Sequence, residues 1–294
     1  MSNQPVSRRR RSSSRKQKSR RRTLTPRGPK SRDRHWLYQE SVQSPDVHFG
    51  FFDRAYRRLN GSTPRVLKED FCGTALLASE WVEWRRENTA IGVDLHAPTL
   101  AWGKKYNLAR LTPEQRARVR LQRANVLHVT RPRADLVVAL NFSYFIFRTR
   151  DALREYFRAA RRSLAPGGMF IGDIFGGWDT QKPKTERTRH SGFTYLWEMD
   201  RFDPVTNFVR FHIHFEFRDR GGIRRAFTYD WRLWSIPEIR EILHEAGFRH
   251  VDIYWEGIDR RSGHGNSVFR RAERGENAPG WIAFFVAYDG AKRR

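Results

Sequence analysis

Cysteine is almost absent from this chain. Cys72 is the only one, which excludes an intrachain disulfide framework and fits a reducing compartment; a single cysteine in a turn reads as a small buried filler, not a nucleophile. Long apolar runs are absent as well. The longest, LVVALNFSYFIF at residues 136–147, contains Asn141 and Ser143 and falls short of the roughly 20 residues that a bilayer-spanning helix needs. The chain therefore reads as soluble and cytoplasmic, with no membrane partner. Acidic residues are scarce: 32 Asp and Glu stand against 57 Lys and Arg, a formal charge of +25. That excess is uneven, since residues 1–34 hold 14 basic side chains and one acid, Asp33.

Residues 1–34 alternate Arg clusters (Arg8 to Arg11, Arg20 to Arg22) with Ser, Gln and Pro, and hold almost nothing that could be buried. The segment is expected to be disordered. It reads as a solvated tail, an import signal, or an arm with weak, salt-sensitive affinity for nucleic acid or another polyanion. It lacks the apolar face of an organelle transit helix. Residues 35–294 remain for one large domain, and a composition 38% hydrophobic and 14% aromatic is ample for its core.

That domain opens with one or two short helices over residues 35–63, broken at Ser44-Pro45. Strand and helix patterns then alternate: RVLKEDF, ALLASEWVEWRR, AIGVDL, APTLAWGKKYNLARL, RVRLQRANV, ADLVVAL, RDALREYFRAARRSLA and GMFIGDIF. Such alternation predicts a Rossmann-like α/β fold with a mostly parallel sheet and a ligand crevice at the strands' carboxyl ends. Glu69, Asp94, Asn125, Asn141 and Asp173 close the strands and should converge there. Residues 178–234 break the pattern. Phe193 to Phe202, Phe208 to Arg218 and Arg225 to Trp234 are aromatic-rich runs of period two, which predict an antiparallel β insert after strand five. A capped helix, SIPEIREILHEAG, follows, and then strands HVDIYWEG and GWIAFFVAY around a polar loop.

The chemistry is concentrated in Arg65 to Leu77, RVLKEDFCGTALL, and in Asp94, 21 residues beyond Gly73. A strand, a tight turn and a helix N-terminus let backbone approach a ligand, and a carboxylate at the tip of the next strand suits two ribose hydroxyls. The ligand is read as an adenosine. Two further glycines are missing, because Phe71 and Ala75 stand where a G-x-G-x-G turn centred on Gly73 would place them. Without them a pyrophosphate has no bare backbone to lie on, and no G-x-x-x-x-G-K-[ST] loop is present for a triphosphate. What remains suits a cofactor without phosphates, whose cationic amino and sulfonium groups would sit well near Glu69.

At this point the sequence resembles the class I S-adenosylmethionine-dependent methyltransferases, whose first motif reads roughly V-L-D-x-G-C-G-T-G. The resemblance covers roughly Trp36 to Tyr288, and it implies a seven-stranded sheet with an antiparallel last strand. It also implies S-adenosylmethionine as cofactor. Glu69 would hold its methionine amino end, Gly73 in the Phe71–Thr74 turn would let the adenosine pass, and Asp94 would bind the ribose. Leu95 and the Asn125-Val126 pair would meet the adenine. Asn141-Phe142-Ser143-Tyr144 resembles the N-P-P-Y motif of methyltransferases acting on planar or amide nitrogens, with both prolines missing. Tyr38 and Gln43 are candidates for a lid over the cofactor.

The acceptor side is read from the insert. Tyr144, Asp173, Tyr195 and Trp197 are its candidate residues, with His212 and His214 as a polar stripe looking into the same space. H-x-H with Glu216 could bind zinc, but a strand sets alternate ligands about 6.5–7 Å apart and a fourth must come from elsewhere, so no metal is assigned. No catalytic residue is identifiable; His190, His212, Asp173 and Tyr195 are the possible bases. An aromatic insert favours a small-molecule methyl acceptor. An RNA or protein methyltransferase using the basic arm, and a non-catalytic S-adenosylmethionine-binding protein, are the alternatives. Deleting residues 1–34 is expected to leave the melting temperature and cofactor affinity unchanged while abolishing any salt-dependent affinity for a polyanion, measured by salt titration against heparin.

Overall fold

Burial on both faces, not alternation, gives the central strands their near-continuous apolar runs. In the computed structural model, which describes residues 32–219, 221–259 and 265–291, the parallel strands are β1 (Val66–Asp70), β2 (Thr89–Asp94), β3 (Val119–Arg123), β4 (Ala134–Ala139) and β5 (Leu164–Gly176). Leu136 and Val138 of β4 enter one core cluster and Val137 and Ala139 the other, so the run has no polar face to show. The helices are α1 (Arg34–Val42), α2 (Pro45–Asn60), α3 (Leu76–Trp84), α4 (Ala97–Tyr106), the short α5 (Pro113–Arg116) and α6 (Arg150–Arg162). Phe49, Phe52 and Trp81 of α2 and α3 cover one face of the sheet, while Leu153 and Phe157 of α6 cover the other.

After β5 the chain leaves the main sheet for β6 (Lys184–Arg189), β7 (Phe193–Asp203), β8 (Phe208–Phe217) and β9 (Gly222–Arg232), a four-stranded antiparallel sheet. It returns through α7 (Ile236–Glu245), whose Ser235 and Glu238 form a reciprocal capping box. The last strands are β10 (His250–Ile258), β11 (Gly265–Arg271) and β12 (Trp281–Tyr288). The main sheet has the order β11-β10-β12-β5-β4-β1-β2-β3, and β12 lies antiparallel to both β5 and β10. The seven strands that the resemblance implies are present, and β11 adds an eighth at the edge. No helix among the described residues is long and apolar enough to cross a membrane.

Two strands escape sequence reading for one reason. Every residue of β6 is exposed, and β11 is exposed at all but one position. An edge strand with solvent on both faces carries no period-two signal. A second correction concerns the tail. Residues 1–31 lie outside the described residues, but Arg32, Asp33 and Arg34 belong to the folded part. Asp33 caps α1 by accepting from the His35 and Trp36 amides, and it also accepts from Trp102 Nε1 at 2.9 Å. Arg32 pairs with Asp219 and lies over the Phe217 ring. A deletion that tests the basic arm alone must therefore stop at residue 31.

The insert and α1 form one unit. Phe193, Ile213, Phe215 and Ala226 pack with Leu37, and Trp36 and Tyr38 close the cluster. Met199, Val209, Phe211 and Trp231 join the main core instead. The insert is thus fixed both to the sheet and to the helix that precedes it.

Inside β1 the apolar pattern is interrupted by a buried charge pair. Lys68 and Asp70 share one face of the strand with no solvent exposure of either side chain, and Lys68 Nζ donates to Asp70 Oδ1. Tyr156 OH of α6 donates to the other carboxylate oxygen at 3.1 Å. Removing one member of such a pair leaves an uncompensated buried charge, which costs about 3–5 kcal/mol. Lys68→Met is expected to destabilise by that amount in urea unfolding. Lys68→Met with Asp70→Asn is expected to recover most of the loss, since no charge stays buried and Tyr156 keeps an acceptor.

Candidate cofactor and acceptor site

The turn after β1 keeps the backbone of a glycine-rich loop with only one of its glycines. Phe71, Gly73 and Ala75 have φ of 58°, 53° and 55°, a left-handed conformation that costs a residue with a Cβ about 1–2 kcal/mol. Local bonds hold it there: the Cys72 amide donates to Val93 O at 3.0 Å and the Ala75 amide to Cys72 O at 2.7 Å. The Phe71 ring points away from the crevice and packs on Tyr156 and Phe147, so only its backbone can meet a ligand. Cys72 is a buried filler against Gly92, and burial pushes its thiol well up. Thr74 anchors the far side. Its carbonyl accepts from Asn107 Nδ2 at 2.8 Å, and its hydroxyl accepts from Gln39 Nε2 of α1 at 2.6 Å. Gly103 of α4 lies so close to that carbonyl that an added Cβ would stand 2.2 Å from the oxygen.

Two carboxylates flank this turn. Glu69 is buried and accepts from the Ala78 amide in the first turn of α3 at 3.1 Å. Burial pushes its carboxyl up to about 8, with Asp94 and Asp70 adding to the rise. Asp94 accepts from the Gly73 amide at 2.8 Å through Oδ2 and from the His96 amide at 2.7 Å through Oδ1. Each oxygen keeps a lone pair for a further donor. Beside it Leu95 is 63% exposed, an apolar side chain standing open next to a charge, while Val126 is buried. Asn125 accepts from the Leu127 amide at 3.0 Å.

The ends of β4 and β5 are joined by one carboxylate. Asn141 and Phe142 both have positive φ (54° and 58°), and their amides donate to Asp173 Oδ2 at 2.7 Å and Oδ1 at 2.9 Å. Burial nevertheless pushes Asp173 up to about 7. Tyr144 requires a correction. It has no solvent exposure, donates its hydroxyl to Asp173 O at 2.9 Å, and packs on Phe145, Phe157 and Phe285, so it supports the floor and cannot line an acceptor site.

Pairing across the insert settles which stripe faces inward. Tyr195 opposes Phe215, Trp197 opposes Ile213 and Met199 opposes Phe211, and this face carries the core contacts. His212 and His214 occupy the opposite face, a second correction. There His214 Nδ1 accepts from the Arg225 amide at 3.0 Å, so its Nε2 carries the proton that meets Glu198 at 2.7 Å. Arg225 has a φ of 49°, close to the register shift between β8 and β9, and His214 satisfies the amide that the bulge displaces. His212 pairs with Thr228 at 2.9 Å. Tyr38 and Tyr229 are hydrogen-bond partners beneath the inward face, and burial pushes Tyr38 up to about 12. Gln39 and Tyr229 join the site without any signal in the sequence; only the docking of α1 on the turn and the insert brings them there.

The residues present fit S-adenosylmethionine. Nothing lies nearer to an added Cβ on Gly73 than Thr99 Cγ2 at 3.9 Å, leaving an open cradle beside the turn. Glu69 and Asp94 supply carboxyl groups on either side of the turn, and Leu95 offers a bare apolar surface for a planar ring.

An open, mostly parallel sheet with an acidic residue at the tip of β2 defines a Rossmann-like α/β fold. Residues 70–172 match the methyltransferase domain family. No curated protein matches the chain. Among solved structures, an S-adenosylmethionine-dependent methyltransferase from Clostridium acetobutylicum ATCC 824 is similar over 87% of this chain and 97% of its own, at 18% identity and a TM-score of 0.61. A sugar N-methyltransferase from Streptoalloteichus sp ATCC 53650 is similar over 90% and 96%, at 18% identity and 0.58. An amino pentose methyltransferase from Micromonospora echinaspora, involved in calicheamicin biosynthesis, is similar over 87% and 95%, at 16% identity and 0.60. The chain thus shares its fold with S-adenosylmethionine-dependent methyltransferases of known structure, and its residues 70–172 match the methyltransferase domain family.

The raised carboxyls set a pH dependence. Glu69 rises from an ordinary 4.5 to about 8 and Asp173 from 3.8 to about 7, so between these limits the native state binds more protons than the unfolded one. Stability from these two groups is complete below about pH 4 and is lost as pH climbs through 7 and 8. Glu69→Gln is expected to flatten the fall in melting temperature between pH 5 and pH 8 in the cofactor-free protein, read by scanning calorimetry.

Proposed function

We propose that the chain transfers the methyl group of S-adenosylmethionine to a small-molecule acceptor. The observation that carries this reading is the convergence of Glu69, Gly73 and Asp94 on one end of a parallel sheet, beneath a roof made by α1 and the insert. Asp94 binds the ribose hydroxyls through its two remaining lone pairs. Glu69 faces the methionine amino group, while Leu95, Asn125 and Val126 meet the adenine. Bound S-adenosylmethionine supplies an electrophilic methyl on a sulfonium.

The protein's share of the work is to orient the acceptor and exclude water. The acceptor would have to present a free lone pair to that methyl, so it has to give up a proton to a group of the protein. Asp173 is the group suited to take it. Its carboxyl sits near neutrality at the end of β5, whereas burial pushes Tyr195 far above that range and His212 faces the other way. The sugar and amino pentose methyltransferases of similar fold support a small acceptor.

Incubation with methyl-labelled S-adenosylmethionine and a cell extract tests the reading. Label in the small-molecule fraction supports it, and label confined to RNA or protein overturns the acceptor class. Two hydrogen bonds to a charged group are worth about 1.5–3 kcal/mol each, so Asp94→Ala is expected to weaken S-adenosylhomocysteine binding about tenfold to a thousandfold in calorimetry. Unchanged affinity in a folded Asp94→Ala protein would sink the ribose assignment.

A further inference from the structure

A cavity of about 410 Å³ opens beside the cofactor crevice, under the inward face of the insert. It stands over the carboxyl ends of β5 and β10, where the antiparallel β12 begins: Trp281 opposes Gly176, and Trp255 opposes Ala283. Phe142 forms part of its wall, and the Phe142 amide donates to Asp173, so a single residue links the cavity to the group assigned above to the acceptor's proton. Its size is that of a small-molecule site.

The walls have an unusual charge for this chain. Trp197, Trp255 and Trp281 supply aromatic faces, the latter two with ring centroids 4.9 Å apart. Asp179, Glu186, Glu256 and Glu276 supply carboxylates, and Lys184 is the one basic residue among the described lining residues. Lys184 Nζ is shared by Asp179 at 3.0 Å and Glu186 at 3.1 Å. Glu256 accepts from the Ser267 amide at 2.9 Å, and neither it nor Glu276 has a cationic partner among the described residues. Asp179 also meets Lys182 Nζ at 3.6 Å, so half-buried Glu256 and exposed Glu276 are the carboxylates of this wall left without a cationic partner among the described residues, in a protein carrying a net +25.

An anion entering this space would be repelled, and a neutral molecule would leave half-buried carboxylate unpaired. A cation is attracted by the carboxylates and by the negative faces of the indoles together. We propose that the cavity is the acceptor chamber and takes a small organic cation, a protonated amine on an apolar or ring-shaped body, which gives its proton to Asp173 before the freed lone pair attacks the methyl. This deepens the methyltransferase reading and rests on it.

The full-length protein can be titrated calorimetrically with benzylamine, which is protonated at neutral pH, with the neutral isostere benzyl alcohol, and separately with S-adenosylhomocysteine. Benzylammonium is expected to bind about tenfold more tightly than benzyl alcohol and to quench tryptophan fluorescence. Glu256→Gln with Glu276→Gln should reduce that preference to about twofold, and Trp281→Ala should weaken benzylammonium about tenfold. S-adenosylhomocysteine affinity should stay unchanged in both variants. Equal affinity for the two probes, no binding of benzylammonium, or a preference untouched by the paired Glu substitutions overturns the proposal. If the wild-type protein fails to bind S-adenosylhomocysteine, the methyltransferase reading falls, and with it the assignment of the cavity as an acceptor chamber; the probe preference by itself then reports only a cation site.

Discussion

The hydrogen bond from the Gly73 amide to Asp94 ties the turn after β1 to the tip of β2, and the geometry of the whole crevice depends on it. Without that acceptor the Gly73 amide would need another partner and the turn would be free to swing. With it, one carboxylate both shapes the loop and remains available to a ligand. The same economy recurs one strand pair away, where Asp173 holds the Asn141 and Phe142 amides. In each place an acidic side chain on one strand fixes the irregular backbone that ends its neighbour.

The roof is built on a different principle. The insert does not reach the crevice as a loose flap, because its inward aromatics join the main core on one side and α1 on the other. Asp33 then fastens α1 to α4 through Trp102, and Gln39 fastens it to the turn. The cap, the turn and the insert are therefore parts of one packed assembly, and the roof of the crevice is as firmly held as its floor.

Much of this was legible in the sequence, and the illegible parts share physical causes. The turn and Asp94 could be read because a nucleotide site needs local features in a fixed order along the chain: strand, turn, helix, strand tip. The edge strands β6 and β11 could not, since solvated strands have no period. Period two correctly marked β8 but could not say which stripe was inside. His212 and His214 are buried, as are Phe211, Ile213 and Phe215 that alternate with them, and only the pairing of β7 with β8 resolves the faces. Tyr144 misled because its motif position and its burial point in opposite directions. The cavity lies beyond any sequence reading, as Trp197, Trp255 and Trp281 meet only after β12 inserts between β5 and β10.

Phe71 and Ala75 carry a consequence that concerns the unfolded chain. Glycine at those positions would have adopted the left-handed backbone freely, but it would also have widened the range of conformations that folding must give up. A phenylalanine and an alanine exchange that freedom for strain, and the strain is borne by the packing of the Phe71 ring and by the backbone bonds of Cys72 and Ala75. The loop consequently arrives at its binding shape when the domain folds, with little ordering left for a ligand to impose. A cofactor entering such a loop meets a surface already organised, and its binding energy is free to act on orientation instead.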